Sequence, residues 1–283
     1  DSPEAVFQFT SSTRDQDQYV CEEVFPGVFR IRDYEDDKMY LLRGSQRALL
    51  VDAGMGKGDL RGVVEPLAGG LPLDLVITHA HPDHIAQIGR FQDDCAVYMN
   101  RRDLPMLERF SQMFGYPIDA GRILDAAEGH SFDLGDRRLT VYELPGHTPG
   151  SIVLLDEASG LLISGDAVGS NRPNIVDALW MQFPDMPPID VYLAELTRFR
   201  AITAGKLKTI LNGHNDLPLA AEPYLDHLEA AARQLVERGA DALTPSLRPP
   251  GIWQSVHGDR LSDPNWAGIN VDRERFLSSQ RAA

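Results

Sequence analysis

The string Thr78-His79-Ala80-His81-Pro82-Asp83-His84 constrains this chain more than any other stretch. It places three imidazoles and one carboxylate within six consecutive positions, directly after the apolar run 73–77. Imidazole nitrogen and carboxylate oxygen are both good donors to zinc-like ions. Such a density of ligands at the end of a strand is what a metal site needs. It makes a water-activating enzyme the first expectation.

Length and charge narrow the setting. A chain of 283 residues accommodates one large α/β domain or two small ones. The net charge of −15, from 42 acidic and 27 basic side chains, argues against a nucleic-acid surface, which needs a basic stripe. It argues less strongly against an anionic substrate, because a bound metal would dominate the local field. Cys21 and Cys95 are too few for a disulfide framework and match no metal spacing, so they read as buried free thiols. No apolar run approaches the ~18 residues of a membrane span. The chain begins at Asp1 without a methionine, which implies that something was removed or left out. Localisation stays open, with the cytoplasm slightly favoured over export behind a cleaved signal.

The opening residues are polar, and 1–22 reads as an N-terminal arm, 23–242 as the catalytic body and 243–283 as an extension packed on it. Apolar residues flank the Pro26-Gly27 turn over 24–31. Strands are expected at 39–42 and 48–51, joined by the hairpin signal Arg43-Gly44-Ser45-Gln46, then at 73–77 and 96–99. Helices are expected at 59–67, from 85 and over 100–114. The second half repeats the pattern, with strands at 139–144, 151–155, 161–164 and 208–211 and helices at 191–204 and 220–238. Ligand-type residues fall at strand ends in both halves. That suggests two similar units packed sheet to sheet around one site. The tail after Leu243 shows no clear period.

Three later points add to the first string. Pro145-Gly146-His147-Thr148-Pro149-Gly150-Ser151 puts a histidine in a bent loop between strands. Ile163-Ser164-Gly165-Asp166-Ala167 and Ile210-Leu211-Asn212-Gly213-His214 put an aspartate and a histidine just past apolar strands. Singly, each would read as a structural histidine, a turn former or a helix cap. Together they read as one site. His130, His227 and His257 have no such setting and read as structural or surface residues.

These pieces, with Val51-Asp52-Ala53-Gly54, come in an order that resembles the metallo-β-lactamase-fold superfamily from about residue 24 to residue 214. The resemblance implies an α/β fold, a four-layer αβ/βα sandwich with two metals at one edge. It implies that His79, His81 and His147 hold one ion and that Asp83, His84 and His214 hold a second. Asp166 would bridge the pair, and Asp52 would fix ligand orientation. Two zinc ions are the expectation, with iron or manganese an option in the second site. Paired cations about 3.5–4 Å apart lower the pKa of a shared water toward neutrality, and the hydroxide then attacks a carbonyl carbon. Asp83 would be both ligand and proton shuttle.

The implied reaction is hydrolysis of an ester, thioester or lactone. True β-lactamases of this fold usually carry cysteine or serine where Asp166 stands, so the chain looks more like the glyoxalase II-like, lactonase-like and phosphodiesterase-like branches. After Asp166 it reads Ala167-Val168-Gly169-Ser170-Asn171-Arg172. The Gly-Cys-Gly-Arg element of glyoxalase II and of the persulfide dioxygenases is missing. A mononuclear iron oxidoreductase of the dioxygenase type is the alternative, and β-lactamase or phosphodiesterase activity a further one. Segment 174–189, with Trp180, Phe183 and several prolines, reads either as an apolar wall or lid for an acyl or aromatic substrate, or as a packing or dimer surface. Arg172 and Tyr192 are candidate substrate-orienting groups. The expected partner is a small molecule with an apolar acyl or aromatic part, with no nucleic acid and no membrane span. A homodimer stays open.

Overall fold

The computed structural model describes residues 19–55, 58–111, 113–114, 117–172, 177–246 and 252–281. The chain divides into two compact units, Asp1–Leu139 and Thr140–Ala283. Most of the expected arm lies outside the described residues. Its last part is built into the first unit, since Tyr19 is buried and a strand starts at Val20.

In the first unit, β1 (Val20–Phe25), β2 (Val28–Arg32), β3 (Lys38–Arg43), β4 (Ala48–Val51), β5 (Leu73–Ile77), β6 (Ala96–Met99) and β7 (Ile123–Asp125) form one sheet in chain order. The strands up to β4 pair antiparallel, and from β4 onward the pairs are parallel. Parallel pairing needs crossovers. The chain supplies α1 (Leu60–Ala68) before β5, the one-turn α2 (Pro82–Ile85) after it, and α3 (Leu104–Ser111) before β7. Asp59 caps α1 by accepting from the Gly62 N–H at 3.2 Å, and Gly69 ends it at φ +67°. Every side chain of β4 is buried, as expected of a strand covered on both faces. Leu50, Leu75 and Ile77 pack with Leu60, Val64 and Phe91 in this core. Each contributes about 2 kcal/mol by leaving water. Cys21 is buried, Cys95 half-buried, and both are free thiols.

The helix expected from 85 onward is broken, and the reason lies in the backbone. Ala53 N–H donates to His84 C=O at 2.8 Å, and Ala86 N–H donates to Gly54 C=O at 3.0 Å. These bonds tie α2 to the loop after β4, and the chain resumes only as a 3-10 turn at Ile88–Arg90.

A short strand β8 (Ser131–Asp133) precedes β9 (Arg138–Glu143). The second unit then holds β10 (Ile152–Asp156), β11 (Leu161–Gly165), β12 (Ser170–Asn171), β13 (Asp177–Met181), α4 (Ile189–Ile202), β14 (Thr209–Asn212), β15 (Leu219–Ala220) and α5 (Ala221–Arg238). One sheet runs β15-β14-β11-β10-β9. The tail, which shows no period in the sequence, forms β16 (Thr244–Pro245), β17 (Trp253–His257), β18 (Ala267–Val271) and a last turn, α6 (Ser278–Arg281). With β12 and β13 it builds a further sheet in the order β12-β13-β18-β17-β16. β18 is buried at every residue and pairs in parallel with β13, so it has no exposed face to mark it by alternation. α5 packs on β17 and β18, with Leu225 and Leu228 in the same core as Ile269 and Val271.

The 174–189 segment is part core and part surface, with Phe183 exposed. Leu179, Met181, Met186 and Ile189 belong to the core of the second unit. Pro173, Asn174, Ile175 and Val176 lie outside the described residues. No helix among the described residues is long and apolar enough to cross a membrane.

Candidate metal centre

In the first unit four ligand-type side chains come from one stretch. His79 follows β5 after Thr78, His81 sits at the N-cap of α2 in an extended conformation, and Asp83 and His84 lie on α2 behind Pro82. Proline at the first helical position suits a helix start, since its missing N–H would have no helical partner there. The rings of His79 and His81 stand edge to face at 4.8 Å between centroids, and those of His79 and His84 lie 4.1 Å apart.

Asp52 organises this stretch. It directly follows β4 and holds φ +67°, a left-handed conformation uncommon outside glycine. Its Oδ1 accepts from Thr78 N–H at 2.7 Å, and its Oδ2 accepts from the Thr78 hydroxyl at 2.9 Å. Oδ2 also accepts from His84 Nδ1 at 2.8 Å. A carboxylate can only accept, so Nδ1 of His84 carries the proton and Nε2 keeps its lone pair. The Thr78 hydroxyl spends its hydrogen on Asp52. Its oxygen, 3.1 Å from His79 Nδ1, can therefore accept from that nitrogen. The same reasoning leaves Nε2 of His79 as the atom that would coordinate a metal. One buried carboxylate thus sets two ring tautomers.

A second buried carboxylate steadies the backbone. Asp103, with no exposed surface, accepts from Ala80 N–H at 3.0 Å, between His79 and His81. Nothing local in Asn100-Arg101-Arg102-Asp103 signals this role, because its partner lies 23 residues away.

In the second unit the ligand types come from three separate loops. Asp166 Oδ2 lies 2.9 Å from His214 Nε2 and 3.6 Å from His147 Nε2. One carboxylate oxygen therefore stands between two imidazoles. The Trp180 carbonyl accepts from His147 Nδ1 at 2.9 Å, which again leaves Nε2 as the atom that would bind a metal. Asn212 Oδ1 accepts from the N–H of His214 at 3.1 Å and of Asn215 at 2.7 Å, while its amide donates to Gly169 C=O at 3.0 Å. The Asn212-Gly213 turn was the only sequence hint of that clamp. Behind Asp166, Tyr192 Oη donates to Ala167 C=O at 3.0 Å and Tyr224 Oη donates to Val168 C=O at 2.8 Å. Burial pushes both phenols well above their usual range, so they remain donors. Gly146 makes the His147 loop possible, since a Cβ there would come within 2.2 Å of the Tyr192 ring.

This placement corrects one expectation. Tyr192 has no exposed surface and braces the site from beneath, so it offers nothing to a substrate. Trp180 is half-buried and acts through its main-chain carbonyl on His147. Phe183 is exposed at 44%, and Arg172 is half-buried just after β12. His130 stacks with Tyr98 and Phe132, and His227 lies against His257 and Asp263, away from the ligand sets.

The donors fit a zinc-like ion. They are imidazole Nε2 atoms, with Nδ1 tied back in His79, His84 and His147, together with carboxylate oxygens. His79, His81 and His147 make up one candidate metal group, and Asp83, His84, Asp166 and His214 a second, consistent with a dinuclear centre.

Comparison with known proteins agrees. The family model of the metallo-beta-lactamase superfamily matches residues 38–214. An acyl-coenzyme A thioesterase, MBLAC2 of Gallus gallus, is 29% identical over 222 residues, covering 66% of this chain and 77% of that protein. A hydroxyacylglutathione hydrolase of Bdellovibrio bacteriovorus is 30% identical over 145 residues, covering 48% of this chain and 50% of that protein. Among solved structures, a metallo-beta-lactamase from Pontibacter korlensis superposes with a TM-score of 0.62 at 17% identity, covering 76% of this chain and 99% of that one. That likeness shows the fold, an α/β architecture with several mixed sheets.

Proposed function

This chain belongs to the metallo-beta-lactamase superfamily, and on that premise we propose that it is a dinuclear metallohydrolase that cleaves an acyl thioester. The observation that carries the reading is Asp166, whose single oxygen stands between His147 of one ligand group and His214 of the other. A carboxylate in that position suits two neighbouring cations better than one. Relatives that cover most of their own length support the choice of bond, since they are named acyl-coenzyme A thioesterases.

When bound, a pair of ions supplies a Lewis acid for the carbonyl and a water acidic enough to ionise near neutral pH. The chain does the rest. Asp52 holds the His79 and His84 rings with Nε2 presented. The Trp180 carbonyl does the same for His147. Asp83, whose side chain is 26% exposed, would take a proton from water and return it to the leaving group. A Ser or Cys nucleophile is not required, and the buried thiol of Cys21 is pushed up to about 11 by its burial, far from a reactive thiolate.

The test is a substrate panel on protein loaded with zinc or manganese: acyl thioesters, aryl esters, lactones, phosphodiesters and β-lactams. The reading expects thioesters to give the highest kcat/KM. A preference for phosphodiesters or β-lactams would overturn it. So would a protein that binds less than one ion per chain and turns over none of the panel.

A further inference from the structure

Side-chain amides tie the loop of Asp166 to the loop of His214. Asn212 Oδ1 accepts from the N–H groups of His214 and Asn215, and its amide donates to Gly169 C=O at 3.0 Å. Asn171 and Asn215 add a second link. The Asn215 amide donates to Asn171 Oδ1 at 2.8 Å, and Asn171 N–H donates to Asn215 Oδ1 at 3.2 Å. Asn171 then spends its own amide on Pro264 C=O, at 2.7 Å. Asn171 and Asn215 are both buried, where such bonds compete little with water.

Pro264 lies in the tail, well beyond the stretch 38–214 that matches the family model. Its turn is fastened from within. Asp259 Oδ1 accepts from Leu261 N–H at 2.9 Å, and Asp263 Oδ1 accepts from Asn265 N–H at 2.9 Å. Such bonds let an aspartate side chain close a turn on its own backbone. Asp263 N–H also donates to Asp259 C=O at 2.8 Å, and Trp266 is buried at the far end. The Pro264 carbonyl is therefore held in place.

We propose that Asn171 and Asn215 are positioning residues for the metal ligand His214, and that the tail turn is the fixed point from which they hold it. The inference rests on the metallohydrolase reading. β11 and β14 pair in parallel up to Gly165 and Asn212, so Asp166 and His214 sit just where the sheet stops holding the chain. Their side chains meet there, with Asp166 Oδ2 and His214 Nε2 2.9 Å apart. Metal binding by both needs that separation held. The Asn212–Gly169 bond acts before His214 in the chain. The Asn171–Asn215 pair acts directly after it and keeps that end of the loop from swinging away. Removing either side chain leaves buried polar groups of its partners unpaired, which favours a looser loop.

The test uses the full chain and zinc binding in competition with a chelator indicator, which reads both binding steps without turnover. Thermal melts show that each variant is folded. Asn171→Ala and Asn215→Ala should each weaken one step about three- to tenfold, the worth of one hydrogen bond, and leave the other step unchanged. Because the two side chains act as a pair, the double variant should lose no more than the worse single one. Ser255→Ala is the stability control. It removes a hydroxyl that donates to Ala231 C=O at 3.1 Å and so joins the same tail to α5. It should lower the melting temperature and move neither binding step. A second comparison isolates the turn. Asp259→Ala and Asp259→Asn lose the same charge, but only the asparagine keeps an acceptor for Leu261 N–H. Only the alanine should weaken the same step, by about twofold. Unchanged binding in Asn171→Ala, equal losses in both steps, or a matching loss in Ser255→Ala overturns the positioning role. Equal binding by the two Asp259 variants overturns the part given to the tail. The two readings can fail separately. Metal binding that depends on Asn171, with no thioester turned over, would sink the thioesterase reading and keep the positioning role. Thioester turnover with metal binding indifferent to Asn171 would do the reverse.

Discussion

In residues 1–139, His79, His81, Asp83 and His84 come from a single stretch of chain and answer to one anchor. Asp52 reaches Thr78 by two hydrogen bonds and His84 by a third, and Thr78 passes the restraint on to His79. In residues 140–283, His147, Asp166 and His214 come from three loops, each with its own support. Those supports are the Trp180 carbonyl, the Tyr192 and Tyr224 hydroxyls behind Asp166, and Asn212 under His214. Ligands that are contiguous in sequence can share a brace. Dispersed ligands need separate braces, and those braces are a main-chain carbonyl for His147 and side-chain groups for Asp166 and His214. Damage to the first region should therefore spread, and damage to the second should stay local.

The largest expected effect breaks the second region at its centre. Asp166→Ala removes the oxygen between two imidazoles, so metal content should fall by about one ion per chain, with activity lost. His227→Ala, whose partners are His257 and Asp263, should change neither metal content nor turnover. Elemental analysis of the two purified variants makes the comparison. Next in size is Asp52→Ala. Because one carboxylate serves His79 and His84, metal affinity should fall about 10- to 100-fold in both candidate groups together. Competition with a chelator indicator reads both binding steps, and a loss confined to one step would contradict the shared-brace account.

Asn212→Ala should do less. It strips the acceptor from the His214 and Asn215 N–H groups and costs about 1–3 kcal/mol of stability. Only the weaker binding step should move. Denaturant melts and the same metal titration would show it. The smallest effect is a labelling contrast. Both cysteines lie in the first unit, and desolvation pushes Cys21 and Cys95 up to about 11. Raising a thiol's pKa favours the neutral form, so near neutral pH fewer than about one thiol in a thousand is ionised. Iodoacetamide should leave both unmodified in the native protein. Their labelling should rise only as the pH approaches the shifted pKa, or when the first unit opens. Rapid alkylation of native protein, seen by mass spectrometry, would contradict the burial of Cys21.

The same contrast explains what was legible beforehand. The strands at 73–77 and 96–99 match the structure to the residue, because short apolar runs bounded by turn residues carry their own signal. The seven ligand-type positions stood out because each follows such a run. β18 did not, because Gly268 and Asn270 interrupt its apolar residues while every position is buried. Its parallel partner β13 lies some ninety residues earlier, so pairing alone defines it. Asp103 and the Trp180 carbonyl were silent for the same reason. Each acts on a residue distant in sequence, and a main-chain oxygen has no side-chain identity to read. Tyr192 misled as a substrate contact because its depth behind Gly146 is a tertiary fact.

The most direct measurement is anomalous X-ray diffraction from crystals of protein loaded with zinc, recorded on either side of the metal's absorption edge. The account predicts two peaks per chain, one among His79, His81 and His147 and one among Asp83, His84, Asp166 and His214. A single peak, or ions bound only at other residues, would contradict it.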